Sequence, residues 1–289
     1  MTIPIEGIDF EKHSPFVQVI RVPLLRFFRF LPLSLSHKLF VNFSEDAKVA
    51  FRWAKTYKAL EMMYTFPKRR AKGQISIADI FWQTFLSNAR AVRNRLKLVE
   101  QILSSLIIER SERTNSVQIL SIGSGSGRSI FEAIAALSAQ VPFKATLLDN
   151  SQSALRFSQR LSKKIINDGQ QNNFKWLCTK TEGLSDALAG FSSDIVEMVG
   201  LLDYFNDRNA RDLFRLIYKH LSSGGWFMVS NVMPNIERPF VDRVVGWPLI
   251  YRQPDQLKDL LIKSGFNKDQ IKLFIEPLKI YVVALCQKI

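Results

Sequence analysis

Val117-Gln-Ile-Leu-Ser-Ile122 runs directly into Gly123-Ser-Gly-Ser-Gly127, and the reading of this stretch decides the fold. The aliphatic, β-branched run predicts a buried strand. Three glycines at alternate positions let the backbone turn sharply and come close to a ligand. The helix expected from Arg128 to about Leu137 presents its unpaired N–H groups at the same place. The spacing is GxGxG. A dinucleotide fingerprint would place its third glycine at Arg128, which argues against a nicotinamide or flavin. Taken alone, the turn suits any tight strand-to-helix connection, so its neighbours decide.

Downstream, Lys144-Ala-Thr-Leu-Leu-Asp149 forms a second strand ending in an acid, with Asn150-Ser151 opening a long helix to about Asn167. A carboxylate there can accept both hydroxyls of a ribose. The plainer alternative is that Asp149, Asn150 or Ser151 only caps the helix; the glycine turn 26 residues upstream favours the ribose role. A third strand, Asn173 to Thr179, leads to Lys180-Thr181-Glu182, where adenine contacts are expected. The fourth, Asp194-Ile-Val-Glu-Met-Val199, delivers Gly200-Leu-Leu-Asp-Tyr204 to the carboxyl edge where such sheets bind ligands.

Then follow a helix around Ala210–Leu221, the turn Ser222-Ser-Gly-Gly225 and a fifth strand Trp226–Ser230. A helix from Pro254 to Ser264 ends at Gly265, and strands Ile271–Ile275 and Ile280–Leu285 flank Glu276-Pro-Leu-Lys279, which predicts a terminal hairpin. Strands alternating with helices predict an α/β fold with a largely parallel, seven-stranded Rossmann-like sheet.

Upstream, apolar residues recur at helical spacing from Glu45 to Phe66, and Pro67-Lys68-Arg69-Arg70 ends the run. A second helical stretch spans Ser76 to about Arg110. The expected organisation is a helical N-terminal extension or cap over residues 1–112 and a cofactor-binding domain over 113–289. Arg90, Arg93, Arg95 and Lys97 could meet a phosphate or carboxylate, or form a solvated helix face.

Val22 to Val41, VPLLRFFRFLPLSLSHKLFV, is apolar but broken by Pro23, Pro32, Arg26, Arg29 and Lys38. A bilayer span requires about 20 mostly apolar residues, so residues 22–41 are read either as a peripheral membrane contact or as an arm packed on the domain. With 289 residues, 47% hydrophobic and 23% charged, the chain can bury a large core and is not of disordered composition. Cys178 and Cys286 stand alone, without a metal or disulfide pattern, and no basic-then-apolar leader opens the sequence; a cytoplasmic protein is the expectation. A net charge of +14 predicts attraction to an acidic partner, be it nucleic acid, an anionic membrane or an anionic substrate.

Together ILSIGSGSG, LLDNS, DIVEMVGLLDYF and LSSGGWFMVSN resemble the successive motifs of class I S-adenosylmethionine-dependent methyltransferases, from about Asn115 to the C-terminus. The resemblance implies S-adenosyl-L-methionine as cofactor. It places Ser121, Gly123, Ser124, Gly125 and Gly127 at the turn, Asp149 and Asn150 at the ribose, Thr181 and Glu182 near adenine, and Val199 and Gly200 after strand four. That family usually has Asp or Glu where this chain has Ser121, two residues before the first glycine, to help hold the cofactor's amino group. Within the superfamily, ILSIGSG, GLLDYF and WPLIYRQPDQL resemble bacterial carboxyl methyltransferases of 3-hydroxypalmitic acid methyl ester biosynthesis. That second resemblance implies a small or lipid-like acceptor carrying a carboxylate, with the Phe-rich N-terminal third as its cover.

Methyl transfer from a sulfonium demands in-line alignment and exclusion of water more than acid–base help. Candidates near the transfer point are Asp203 and Tyr204, with Tyr251 and Arg252, the last able to pair bidentately with a carboxylate. Their plainer roles are a helix cap for Asp203, core packing for Tyr204 and an ion pair for Arg252. Two other functions stay open. A nucleic-acid methyltransferase fits the charge but lacks the Asn/Asp-Pro-Pro-aromatic run after strand four and a cysteine at the sheet edge. A non-catalytic cofactor-binding protein fits Ser121 but not the intact glycines and Asp149.

Overall fold

The computed structural model describes residues 5–13, 15–42, 44–137, 141–180 and 183–289. Seven helices come first: α1 (Pro15–Phe30), α2 (Leu33–Val41), α3 (Glu45–Arg52), α4 (Tyr57–Tyr64), α5 (Phe66–Ala71), α6 (Ile77–Phe85) and α7 (Ser87–Ser111). The alternating half follows: β1 (Val117–Ile122), α8 (Arg128–Ala135), β2 (Phe143–Asp149), α9 (Gln152–Ile165), β3 (Phe174–Cys178), α10 (Leu184–Ala187), β4 (Ser193–Met198), α11 (Asp207–His220) and β5 (Leu221–Val232). The chain closes with α12 (Arg238–Arg243), α13 (Pro254–Ile262), β6 (Ile271–Ile275) and β7 (Tyr281–Gln287).

The strands form one sheet in the order β3-β2-β1-β4-β5-β7-β6, with β7 antiparallel to both neighbours. The order reverses between β1 and β4, so the loops leaving their carboxyl ends diverge and open a crevice. Both faces of the sheet are covered, which is why β1 and β4 are apolar on both sides. One face packs on α7, α8 and α9 through Leu103, Ile107, Phe131, Leu147 and Ile195. The other packs on α11 and α13 through Phe214, Phe227, Leu257 and Leu261. Helix α7 is therefore part of the sheet's core although it precedes β1. The expected hairpin is present: the Glu276 carboxylate accepts the N–H groups of Leu278 and Ile280 at 2.8 and 2.7 Å and holds the turn before β7.

The structure corrects the expected boundaries in four places. The run from Glu45 to Phe66 is two helices, because α3 ends at Trp53 and Lys55 takes a left-handed φ of 65° before α4 begins. Pro67 does not end a helix; it lies in the first turn of α5, where its missing N–H costs nothing. Leu86 is extended and divides the stretch from Ser76 into α6 and α7. Ser222 to Gly225 is not a turn ahead of the fifth strand but part of β5, since Gly224 and Gly225 exchange backbone hydrogen bonds with Lys288. Its irregular start shows as a register shift between Ser193 and Ile195.

A third core cluster joins α1, α2, α3, α6 and α12 through Leu25, Phe40, Ala47, Trp82, Phe240 and Val244. Glu237, fully buried at the start of α12, ties this cap together. It accepts the N–H groups of Ser87 and Asn88 at the N-terminus of α7, where a negative charge is favoured, and pairs with Arg21 of α1 at 2.9 Å. Among the described residues no helix is long and apolar enough to cross a membrane.

Candidate functional site

Gly123, Gly125 and Gly127 all have positive φ, 66°, 54° and 70°, so the turn is built from left-handed steps that other residues adopt at a cost. A Cβ on Gly127 would lie 2.5 Å from Leu147 and 2.9 Å from Ser158 Oγ, and one on Gly123 2.8 Å from Leu201. A Cβ on Gly125 would make ordinary contact with Tyr57 Cβ, 3.6 Å away. The turn is thus packed too closely at Gly123 and Gly127 to admit a side chain at either. Asp149 Oδ2 accepts the Gly125 N–H at 2.8 Å and its Oδ1 the Ser151 N–H at 2.8 Å, while Ser151 itself caps α9. Burial pushes the Asp149 carboxyl above the usual range, opposed by those N–H donors.

A cavity of about 520 Å³ lies over the turn, between the carboxyl ends of β1, β2 and β4 and the segment from Trp53 to Leu60. Gly123, Gly125, Asp149, Asn150, Val199, Gly200 and Tyr204 line it, so these expected site residues are brought together. Thr181 and Glu182 lie outside the described residues; their neighbours Thr179 and Lys180 line the wall. Ser124 sits in the turn with a buried hydroxyl lacking a partner, and Gly127 caps α8 beneath it. Ser121 lies below the floor, buried, donating to Glu197 Oε2. Arg128 pairs with Glu61 of α4 at 2.6 Å and with Glu132, locking α4 over the turn.

A second cavity of about 90 Å³ adjoins the first, sharing Leu60, Gly200, Tyr204 and Trp247 with it. Its walls are mostly apolar, among them Phe40, Ala47, Met63, Trp82, Val92 and Val245, and its polar side chains are Asp46, Gln83, Asn88, Arg95, Asp203, Tyr204 and Tyr281. Asp203 lines this cavity, but its Oδ1 is engaged by Asn231 Nδ2 at 2.7 Å and the Val232 N–H at 2.8 Å. Burial pushes its carboxyl upward against those donors and Arg95. Tyr204 stands between the two cavities, its hydroxyl accepting from Trp247 Nε1 at 2.7 Å.

Tyr251 and Arg252 are placed elsewhere, lining neither cavity. The Arg252 guanidinium is buried and spent on Asp207 at 2.8 Å, Asn231 Oδ1 at 2.8 Å and the Phe205 carbonyl at 2.6 Å, so it has no donor left for a substrate. Tyr251 donates to Asp242 at 3.1 Å beneath Arg238. The sequence predicts a cap but not which of its residues meet the cavity: Trp53 and, on α4, Tyr57, Lys58 and Leu60 reach it across a break at the left-handed Lys55, which no local pattern announces.

A glycine turn, an acid at the end of β2 and a crevice at the reversal of strand order define a class I methyltransferase. The chain belongs to the family described as "Putative methyltransferase", whose profile matches residues 26–211. No curated protein matches its sequence. Two solved structures share the fold. The "possible exported protein" of Bordetella parapertussis is 15% identical, with a TM-score of 0.71 over 96% of this chain and 99% of that one. Magnesium protoporphyrin IX methyltransferase of Synechocystis PCC 6803, crystallised with S-adenosylhomocysteine, is 12% identical, with a TM-score of 0.54 over 79% of this chain and 97% of that one.

Proposed function

We propose that this methyltransferase uses S-adenosylmethionine and delivers the methyl group to a carboxylate oxygen of an apolar, lipid-like acceptor. The observation that carries this reading is the apolar cavity joined to the glycine-turn cavity at Gly200 and Tyr204. The larger cavity suits the nucleoside and amino acid. Asp149 keeps acceptor capacity beyond its two N–H bonds for ribose hydroxyls, and Gly123 and Gly125 bring the backbone of the turn to the cavity wall. Bound there, S-adenosylmethionine supplies a methyl group on a cationic sulfur. An acceptor oxygen lone pair forms the new O–CH₃ bond, the C–S electron pair stays on sulfur, and with a carboxylate no proton is removed.

The protein's part is positioning and dryness. The acids lining the smaller cavity are not set up as dedicated bases: Asp203 accepts from Asn231 and Val232, Asp46 is paired with Arg69 and Gln83, and Tyr204 is held by Trp247. A carboxylate acceptor requires none. The smaller cavity, at about 90 Å³, is below the roughly 150 Å³ that admits benzene in an engineered cavity. It therefore takes a head group and its first carbons. A longer chain has to pass an aromatic wall of Phe40, Trp82, Phe240 and Phe28, whose ring centroids lie 4.9–6.0 Å apart. Beyond that wall a second space of about 250 Å³ opens between α1, α2 and α12.

Residues 22–41 fit a peripheral membrane contact by which such an acceptor would reach the site. Leu25 and Phe40 face the core, whereas Phe27, Phe30, Leu33, Leu35 and Leu39 are exposed, Phe30 by 83%. Arg26 and Lys38 lie in the same segment, as anionic lipid would favour. Flotation with phosphatidylglycerol vesicles, compared with phosphatidylcholine, tests this contact. The acceptor is tested by incubating the protein with methyl-labelled S-adenosylmethionine and separate pools of fatty acids, RNA and amines. Label in base-labile esters of the acid pool is expected; label in RNA or amines alone would overturn the carboxylate reading.

A further inference from the structure

Six arginines are buried among the described residues: Arg21, Arg93, Arg95, Arg110, Arg128 and Arg252. Five have a carboxylate at 2.5–2.9 Å, from Glu237, Glu11, Asp194, Glu61 and Asp207 in that order. Arg95 has none. It is only 2% exposed and keeps its charge at any ordinary pH, yet its Nε has no hydrogen-bond partner. Its contacts are weak for a buried cation: Nη2 reaches the Tyr64 hydroxyl at 3.5 Å, and the guanidinium lies over the Tyr281 ring at 4.4 Å. Burying a charge without paired, hydrogen-bonded partners is costly, and five neighbours of the same type show how this chain normally meets that cost.

The placement of Arg95 is informative. It lines the apolar cavity, and a Cβ added at Gly200 would stand 3.5 Å from its Nη2. Gly200 belongs to both cavities, so the guanidinium sits where an acceptor head group would meet the transferred methyl. Asp203 and Glu197 influence Arg95 electrostatically but form no ion pair with it. Each has its own hydrogen-bond donors: Asn231 and Val232 for Asp203, and Ser121 for Glu197. They temper the positive charge without satisfying the guanidinium's N–H groups.

We infer that Arg95 is the anchor for the acceptor's carboxylate. This rests on the methyltransferase reading above and deepens it by naming the residue that selects anionic over neutral acceptors. The guanidinium donates to one acceptor oxygen and leaves a lone pair of the other facing the cofactor cavity, while the apolar walls hold the first carbons. An uncharged alcohol of the same length leaves the Arg95 donors unsatisfied and binds worse, as sites built around a buried polar group reject partners that lack the complement.

The experiment uses the full chain saturated with S-adenosylhomocysteine and compares hexanoate with hexan-1-ol by shift of the thermal midpoint and by calorimetry. Hexanoate is expected to bind at least tenfold tighter than hexan-1-ol. In Arg95→Met that preference should vanish, while affinity for S-adenosylhomocysteine stays within a few-fold. Arg95→Lys should recover part of the preference. Equal binding of acid and alcohol to the parent protein overturns the inference without any variant, which covers the case that Arg95→Met does not fold. Hexanoate binding unchanged in folded Arg95→Met overturns it as well. Failure of S-adenosylhomocysteine to bind the parent overturns the methyltransferase reading itself, and the inference with it.

Discussion

Ser121 on β1 and Glu197 on β4 are register partners in the parallel sheet, and Ser121 Oγ donates to Glu197 Oε2 at 2.5 Å. A carboxylate thus stands one hydrogen bond away from position 121 on the adjacent strand, buried and outside the lining of the cavity. Burial pushes the Glu197 carboxyl up to about 7, opposed by Ser121, Arg95, Ser129 and the Val199 N–H.

A pH signature follows from that shift. Between the ordinary glutamate range and about pH 7 the folded protein holds a proton on Glu197 that the unfolded chain has released, so stability falls as pH rises through this window. Glu197→Gln removes the titration. The variant should match the parent near pH 5 and exceed it at pH 8, by about 3 kcal/mol at most. Thermal melts of both proteins across that range check the sign, and a difference that does not vary with pH would refute it.

Arg252→Ala should act on stability rather than on substrate. Its removal strands Asn231 Oδ1 and the Phe205 carbonyl and frees the loop after β4 from β5. A loss of about 2–4 kcal/mol is expected in urea titrations. Folded Arg252→Ala should still bind S-adenosylhomocysteine and prefer an acid to an alcohol, in contrast with Arg95→Met.

Much of this architecture is legible in the sequence because strand periodicity and glycine spacing are local signals. The turn from Gly123 to Gly127, Asp149 and the hairpin at Glu276 each announce themselves within a few residues. The acceptor side does not. Arg95 lies in a run with Arg90, Arg93 and Lys97 that resembles a solvated face; only tertiary packing against Tyr281, Tyr64 and Gly200 buries it and leaves it unpaired. For Arg252 the plainer role, an ion pair, is the one present, but its partners Asp207 and Asn231 lie 45 and 21 residues away in sequence, so no local pattern names them. The break at Trp53 to Thr56 depends on one left-handed lysine that helical spacing cannot reveal.

Phe240→Ala should change which chain lengths bind. Phe240 is in ring contact with Phe28, Phe40 and Trp82, and its loss opens the wall between the 90 Å³ cavity and the outer space of about 250 Å³. Stability should drop by about 3–5 kcal/mol, as for other large-to-small core changes. In a competition series of saturated acids, the tightest binder should shift toward longer chains. An unchanged length profile would mean that chains leave the site by another route.

The central claim is that the glycine turn and Asp149 hold S-adenosylmethionine. Calorimetric titration of S-adenosylhomocysteine into the parent protein and into Asp149→Ala tests it most directly. One site of micromolar affinity in the parent, weakened at least tenfold in a folded Asp149→Ala, is the predicted result. No binding to the parent, or equal binding to both proteins, would contradict it.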